Sequence, residues 1–215
     1  MSKFRTLTGA TLVSAVLFAA AACSDGGAEG TFPSGNPGST PPDPPSTSEG
    51  TTGSGNTAPR VTDQLDPAGL VDSPCESLTA EQLDQLGVTG EGKETTLSAN
   101  GVKGCDWKFG ANLEWKIQVA YVVPDSKNGL QNVYDQNAAG LFQGGYFVPT
   151  SVAGYPGVFS NQADTRPDGR CDLAVGINSQ MLLTSAVTGD VGKDNCKAAS
   201  NVADRIVATI KAGGH

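Results

Sequence analysis

Between Ser24 and Arg60 the chain runs through 37 residues of which 27 are Gly, Pro, Ser or Thr, with Phe32 the only aromatic. A segment of that composition cannot bury enough apolar surface to offset the conformational entropy of ordering it, so no packed structure is expected there. Val61 to Asp72 adds little more to bury and is read as a continuation. Residues 23–72 are therefore expected to form a tether, and folding is confined to the chain from Ser73 onward. Treated as a coil, about 49 residues span roughly 35–40 Å root-mean-square, and the prolines stretch that further. Ser and Thr beside Pro also permit O-glycosylation.

Ahead of the tether, Lys3 and Arg5 precede a short apolar run from Leu12 to Ala22. The run falls short of the roughly 20 apolar residues that a helix needs to cross a bilayer, and it fits a secretory signal peptide over residues 1–22. Its end, Ala20-Ala21-Ala22-Cys23, resembles the lipobox of bacterial lipoproteins. In that family small residues admit the signal peptidase, and the cysteine thiol receives a diacylglycerol and becomes the new N-terminus. Ala20 departs from the Leu or β-branched residue more usual there. The resemblance implies that Cys23 is the lipidation site, bearing palmitate-like acyl chains, and that the membrane is the first partner. The expected location is the extracytoplasmic face of the cell membrane. Acyl chains contribute about 0.8 kcal/mol per buried methylene, so two or three hold a protein firmly.

From Ser73 the character changes. Residues 73–215 hold ten of the 13 aromatics, both tryptophans and four of the five cysteines, enough for one core. Thr79 can cap a helix with Gln82 completing a capping box, Leu78 and Leu83 as the hydrophobic staple and Gly87 as the stop. Cys105, Trp107 and Phe109 then alternate with polar residues. Beyond Gly110-Ala111-Asn112, Leu113, Trp115, Ile117, Val119 and Tyr121 do the same, which is the pattern of a half-buried antiparallel hairpin. A three-residue turn there would set Phe109 opposite Leu113 and Trp107 opposite Trp115, with both indoles on one sheet face. Gly129 to Ala138 reads as a second helix, whereas Phe142 to Phe159, rich in glycine and aromatics, fits no single period. Cys171 to Ile177 and Met181 to Val187 make a second hairpin of undetermined register around Asn178-Ser179. A helix from about Asn195 to Lys211, capped by Asp194, closes the chain with the stripe Ala199, Val202, Ala203, Ile206, Val207 and Ile210. The expected fold class is α+β: an antiparallel sheet built from two hairpins, covered on one face by two or three helices.

Four cysteines in an exported domain, Cys75, Cys105, Cys171 and Cys196, point to two disulfides. Three pairings are open. Cys75–Cys105 and Cys171–Cys196 are preferred because each joins a helix to the strand expected beneath it. Redox exchange and zinc binding fit poorly, with no Cys-x-x-Cys and a single histidine, His215, at the C-terminus.

These motifs have an order. Pro74-Cys75-Glu76-Ser77-Leu78-Thr79, Gly104-Cys105-Asp106-Trp107, Cys171-Asp172-Leu173-Ala174-Val175 and Asn195-Cys196-Lys197-Ala198-Ala199 resemble an actinobacterial lipoprotein family, the domain of unknown function 3558. Val152-Ala153-Gly154-Tyr155-Pro156-Gly157 is similar to its middle segment, where a small turn leads into a strand. The resemblance spans about residues 73 to 211 and implies fold and location; it assigns no activity.

Net charge is −8, which argues against nucleic acid because a phosphate backbone needs a basic stripe. Asp164, Asp168 and Asp172 recur every four residues, too widely for a calcium loop, and Arg166 and Arg170 lie between them to neutralise them. No metal and no cofactor are expected. No Gly-x-Ser-x-Gly or Ser-x-x-Lys occurs, and no acid sits in an apolar run that would raise its pKa. No catalytic residues are assigned, and the chain is read as non-enzymatic. Phe142, Tyr146, Phe147 and Tyr155, interleaved with glycines, are the candidate binding surface, because glycines admit a partner to the backbone and aromatics give contact area. The functional expectation is a lipid-anchored envelope lipoprotein binding a partner protein, a wall polymer (glycan) or an apolar small molecule or lipid. The alternative is an accessory subunit that positions an envelope hydrolase or transporter.

Overall fold

The computed structural model describes residues 56–97 and 101–214, so the expected signal peptide, Cys23 and the tether up to residue 55 lie outside the described residues. The described chain forms α1 (Ala68–Asp72), a 3-10 turn (Pro74–Ser77), α2 (Ala80–Gln85), β1 (Lys93–Thr96), β2 (Lys103–Phe109) and β3 (Trp115–Val122). It continues through α3 (Gln131–Ala138), β4 (Tyr146–Val152), β5 (Tyr155–Asn161), β6 (Arg170–Gly176), β7 (Leu182–Thr188) and α4 (Asn195–Lys211). The strands make one antiparallel sheet in the order β1-β2-β3-β7-β6-β5-β4. This is the expected α+β class.

The chain meanders through β1 to β3, leaves the middle of the sheet for its far edge, and meanders back so that β7 docks beside β3. Side chains alternate across the pleat. The inner face therefore carries Cys105, Trp107, Ile117, Val119, Val187, Leu183, Cys171 and Val175, all buried. α4 lies on that face, Asp194 capping it by accepting from the Lys197 N–H at 2.9 Å, and its expected stripe is buried throughout. The capping box of α2 is formed in both directions between Thr79 and Gln82. Disulfides join Cys75 to Cys105 and Cys171 to Cys196, the preferred pairing.

Three expectations need correction. Helices cover both faces of the sheet. The connection from β3 to β4 must cross the outer face, and α3 rides on it, burying Leu130, Val133 and Tyr134 against Val158, Ala174 and Leu182. The first hairpin is displaced by two residues: Leu113 takes φ 57 and bonds back to the Gly110 carbonyl at 3.2 Å, so it belongs to the turn. Phe109 then faces Trp115, and Trp107 faces Ile117. An even displacement keeps every side chain on its face, and the two indoles share the inner one. Third, packing starts well before Ser73. Leu70 is fully buried, Leu65 joins the same core, the Leu65 N–H donates to the Ile177 carbonyl at 2.8 Å, and the Ala58 N–H donates to Gln131 Oε1 at 2.9 Å.

The unassigned stretch around residue 150 forms a third hairpin, β4–β5. Ala153 and Gly154 both have positive φ, 51° and 86°, in the two-residue turn that matches the twist of the flanking strands.

Candidate functional site

The four aromatics expected to form one surface do not meet on one. Tyr146 (4% exposed) and Tyr155 (3%) point to the inner face. The Tyr146 hydroxyl accepts from the Asp172 N–H at 2.9 Å, with the Arg166 guanidinium 4.4 Å from its ring centroid. Tyr155 donates to Asp63 at 3.1 Å and sits in the main core. Burial pushes both phenols above their ordinary pKa. Phe147 lies on the outer face and, with Phe142, packs beside α3. Its ring is edge-on to Tyr134 at 5.0 Å and stacked with Phe142 at 6.0 Å. These residues are core and its margin. Gly145 crosses so close to the Asn161 carbonyl that a Cβ would collide with it, so this glycine serves the hairpin. Arg166 pairs with Asp164 and Arg170 with Asp172, two of the three spaced acids. Among the described residues, no group of three or more His, Cys, Asp or Glu could hold a metal ion.

The stronger site lies at the β2–β3 turn end of the inner face. There a cleft of about 380 Å³ opens between the sheet and α4, within the roughly 300–1,000 Å³ of small-molecule pockets. Phe109, Trp115, Ile117 and Val187 make its floor; Ala198, Asn201, Val202 and Arg205 of α4 make one wall, and the end of α2 with Gln85 and Leu86 makes the other. Ala198 and Asn201 are short, so α4 leaves a gap above the sheet.

Local structure fixes the aromatic floor. The turn from Gly110 to Glu114 carries positive φ at Gly110 (91°) and Leu113. Glu114 clamps it by accepting from the Asn112 N–H at 2.8 Å, and backbone N–H groups hold its carboxyl below its ordinary pKa. That turn places Phe109 and Trp115 side by side, stacked with centroids 6.1 Å apart. The indole lies against Gly189, where any Cβ would collide with its ring.

Arg205 supplies the charge. Its Nε is buried without a hydrogen-bond partner. The neighbouring Gln82 amide is already used: Nε2 donates to the Arg205 carbonyl at 3.0 Å, and Oε1 accepts from the Thr79 N–H and the Thr209 hydroxyl, each at 3.0 Å. Reading the sequence for periodicity assigned Phe109 and Trp115 to the core and passed over Arg205. A signal was present: Arg205 borders the buried stripe of α4, and no acid stands three or four residues from it on the helix.

The family model described as protein of unknown function (DUF3558) matches residues 18–209. The chain belongs to the DUF3558 family. The matched span runs from the end of the leading apolar segment to the last turn of α4, and so takes in both disulfides and every residue of the cleft. No curated protein and no solved structure matches this DUF3558 chain. Among its described residues no helix is long and apolar enough to cross a membrane.

Proposed function

We propose that this protein is a lipid-anchored lipoprotein of the cell envelope, exported by a cleaved signal peptide and non-catalytic, whose domain holds an apolar small molecule in the cleft. The observation that carries the binding role is the stacked Phe109–Trp115 floor, an aromatic surface left open between sheet and helix. Aromatic and aliphatic walls with a few polar groups at the margin are the usual make-up of such sites. Export is supported by the apolar run before Cys23 and by two disulfides, which persist in oxidising compartments.

Native mass spectrometry of the full chain purified from its own envelope tests the binding role. A retained apolar molecule, lost on Trp115→Ala, is expected; a bare chain that also leaves an added hydrophobic fluorophore unbound would defeat it. The anchor is tested separately by labelling cells with a palmitate analogue. Cys23→Ala is expected to abolish the label, and equal labelling of variant and wild type would sink the anchor.

A further inference from the structure

We infer that the occupant of the cleft is an anionic amphiphile: an apolar chain lying over Phe109 and Trp115, with a carboxylate or phosphate head paired to Arg205. The inference rests on the proposal that the cleft binds an apolar small molecule, and it names the chemistry of that molecule. Three observations converge. The sheet floor of the cleft is wholly apolar, and its polar side chains, Gln85, Asn201 and Arg205, all come from the helices above it. A ligand that matches it must be apolar along its body and polar at one end.

The second observation is the orphaned donor. A buried donor without an acceptor costs about 1–3 kcal/mol, and more when it is charged. Nothing packed against Arg205 relieves that cost. Its Nε meets no acceptor in the fold: the sheet side of the cleft is Phe109, Trp115, Ile117 and Val187, the Gln82 oxygen is taken, and neither Gln85 nor Asn201 bonds to it. No ion pair to Arg205 occurs among the described residues. A guanidinium presents a planar fork of donors that carboxylate and phosphate oxygens match two at a time.

The third observation is the apolar margin. Leu113 is 62% exposed and Val191 73% exposed, and their loops follow the β2 and β7 ends that form the cleft floor. Apolar side chains in water at that end of the sheet suit a chain that outruns the cleft.

The test is a titration of the full chain with dodecanoate, dodecyl phosphate and dodecanol below their micellar concentrations, followed by tryptophan emission. Trp115→Phe identifies the responding indole. Both anions are expected to bind about tenfold or more tighter than the alcohol. Arg205→Gln is expected to abolish the preference, so that both anions bind no tighter than the alcohol. Arg205→Lys is expected to recover part of the preference. Either anion being the tighter supports the inference, and their order identifies the headgroup. Dodecanol binding as tightly as dodecanoate, or a preference that survives Arg205→Gln, would overturn the inference while leaving an apolar site. No response to any of the three would remove the apolar site as well. Should Arg205→Gln not fold, raising the salt concentration on wild type replaces it: the preference must shrink, since screening weakens a partly exposed ion pair, and a salt-independent preference counts against Arg205.

Discussion

At the scale of single residues, Gly189 shapes the cleft although it does not line it. The Trp115 ring occupies the space that a side chain at position 189 would need. Gly189→Ala must therefore push the indole off the floor, at a cost of about 1–3 kcal/mol for overpacking. The expected result is a lower urea midpoint and a shifted tryptophan emission; wild-type values for both would show that the indole is not held there. Tyr121 makes a different kind of prediction. Its hydroxyl shares a hydrogen bond of 2.9 Å with the buried Ser77 hydroxyl, and burial pushes its pKa up to about 12. An unfolded tyrosine ionises near 10, so between about pH 10 and 12 the unfolded chain releases a proton that the folded one keeps. Stability is thus complete below pH 10 and falls as pH rises through that window, by about 1.4 kcal/mol per pH unit from this group. Tyr121→Phe removes the titration. Urea midpoints at pH 9 and 11 should differ less in the variant than in wild type, and equal differences would show that Tyr121 does not contribute.

At the scale of elements, legibility followed solvent. α4 announced itself through Asp194 and a stripe at three-and-four spacing because one side faces water and the other the sheet. β2 and β3 announced themselves for the same reason. β1, Lys-Glu-Thr-Thr, has no buried residue and hence no pattern; only its pairing with β2 makes it a strand. β4 and β5 were obscured because the stretch from Phe142 to Phe159, rich in glycine and aromatics, keeps no single period, and it also carries two prolines. Pro149 is tolerated on an edge strand, and Pro156 precedes the stretch of β5, Gly157 to Phe159, that pairs with β6. The cleft was hidden because a gap between helix and sheet depends on where α4 docks, and periodicity reports only which side faces inward. The disulfides hold these layers together, Cys171–Cys196 pinning α4 to β6 and Cys75–Cys105 pinning the 3-10 turn to β2. The loops they close, 25 and 30 residues, differ too little to matter logarithmically. Replacing either pair by alanine should cost about 3.5 kcal/mol in the chain-entropy account. Thermal unfolding of the two double variants should therefore give closely similar midpoints, both well below wild type. A large disparity would mean that one bridge acts through folded-state packing.

At the scale of the whole molecule, the segment before Ser73 decides what the folding unit is. Polar composition made it look like tether, yet its two leucines are spaced to reach the core: Leu65 beside the Ile177 turn and Leu70 fully buried. Polar groups fix the path between them. Asn178 donates to the Leu65 carbonyl at 3.1 Å, Gln64 accepts from the Ser179 N–H at 2.7 Å, and Asp63 holds the Tyr155 hydroxyl. This strap grips the Leu182 end of β7, while the cleft lies at the Val187 end, about 17 Å away at roughly 3.4 Å per residue. Damage to the strap should therefore lower stability without reshaping the cleft. Leu70→Ala in the full chain is expected to cost about 2–5 kcal/mol by cavity formation, read as a lower urea midpoint, while Trp115 emission in the folded state stays as in wild type. A chain begun at Ser73 loses both leucines and every strap bond, and should be less stable than Leu70→Ala. One begun at Asn56 keeps both leucines and those bonds, and should be more stable than the Ser73 form. Equal stability of the Ser73 and Asn56 forms would return the boundary to where composition alone had drawn it.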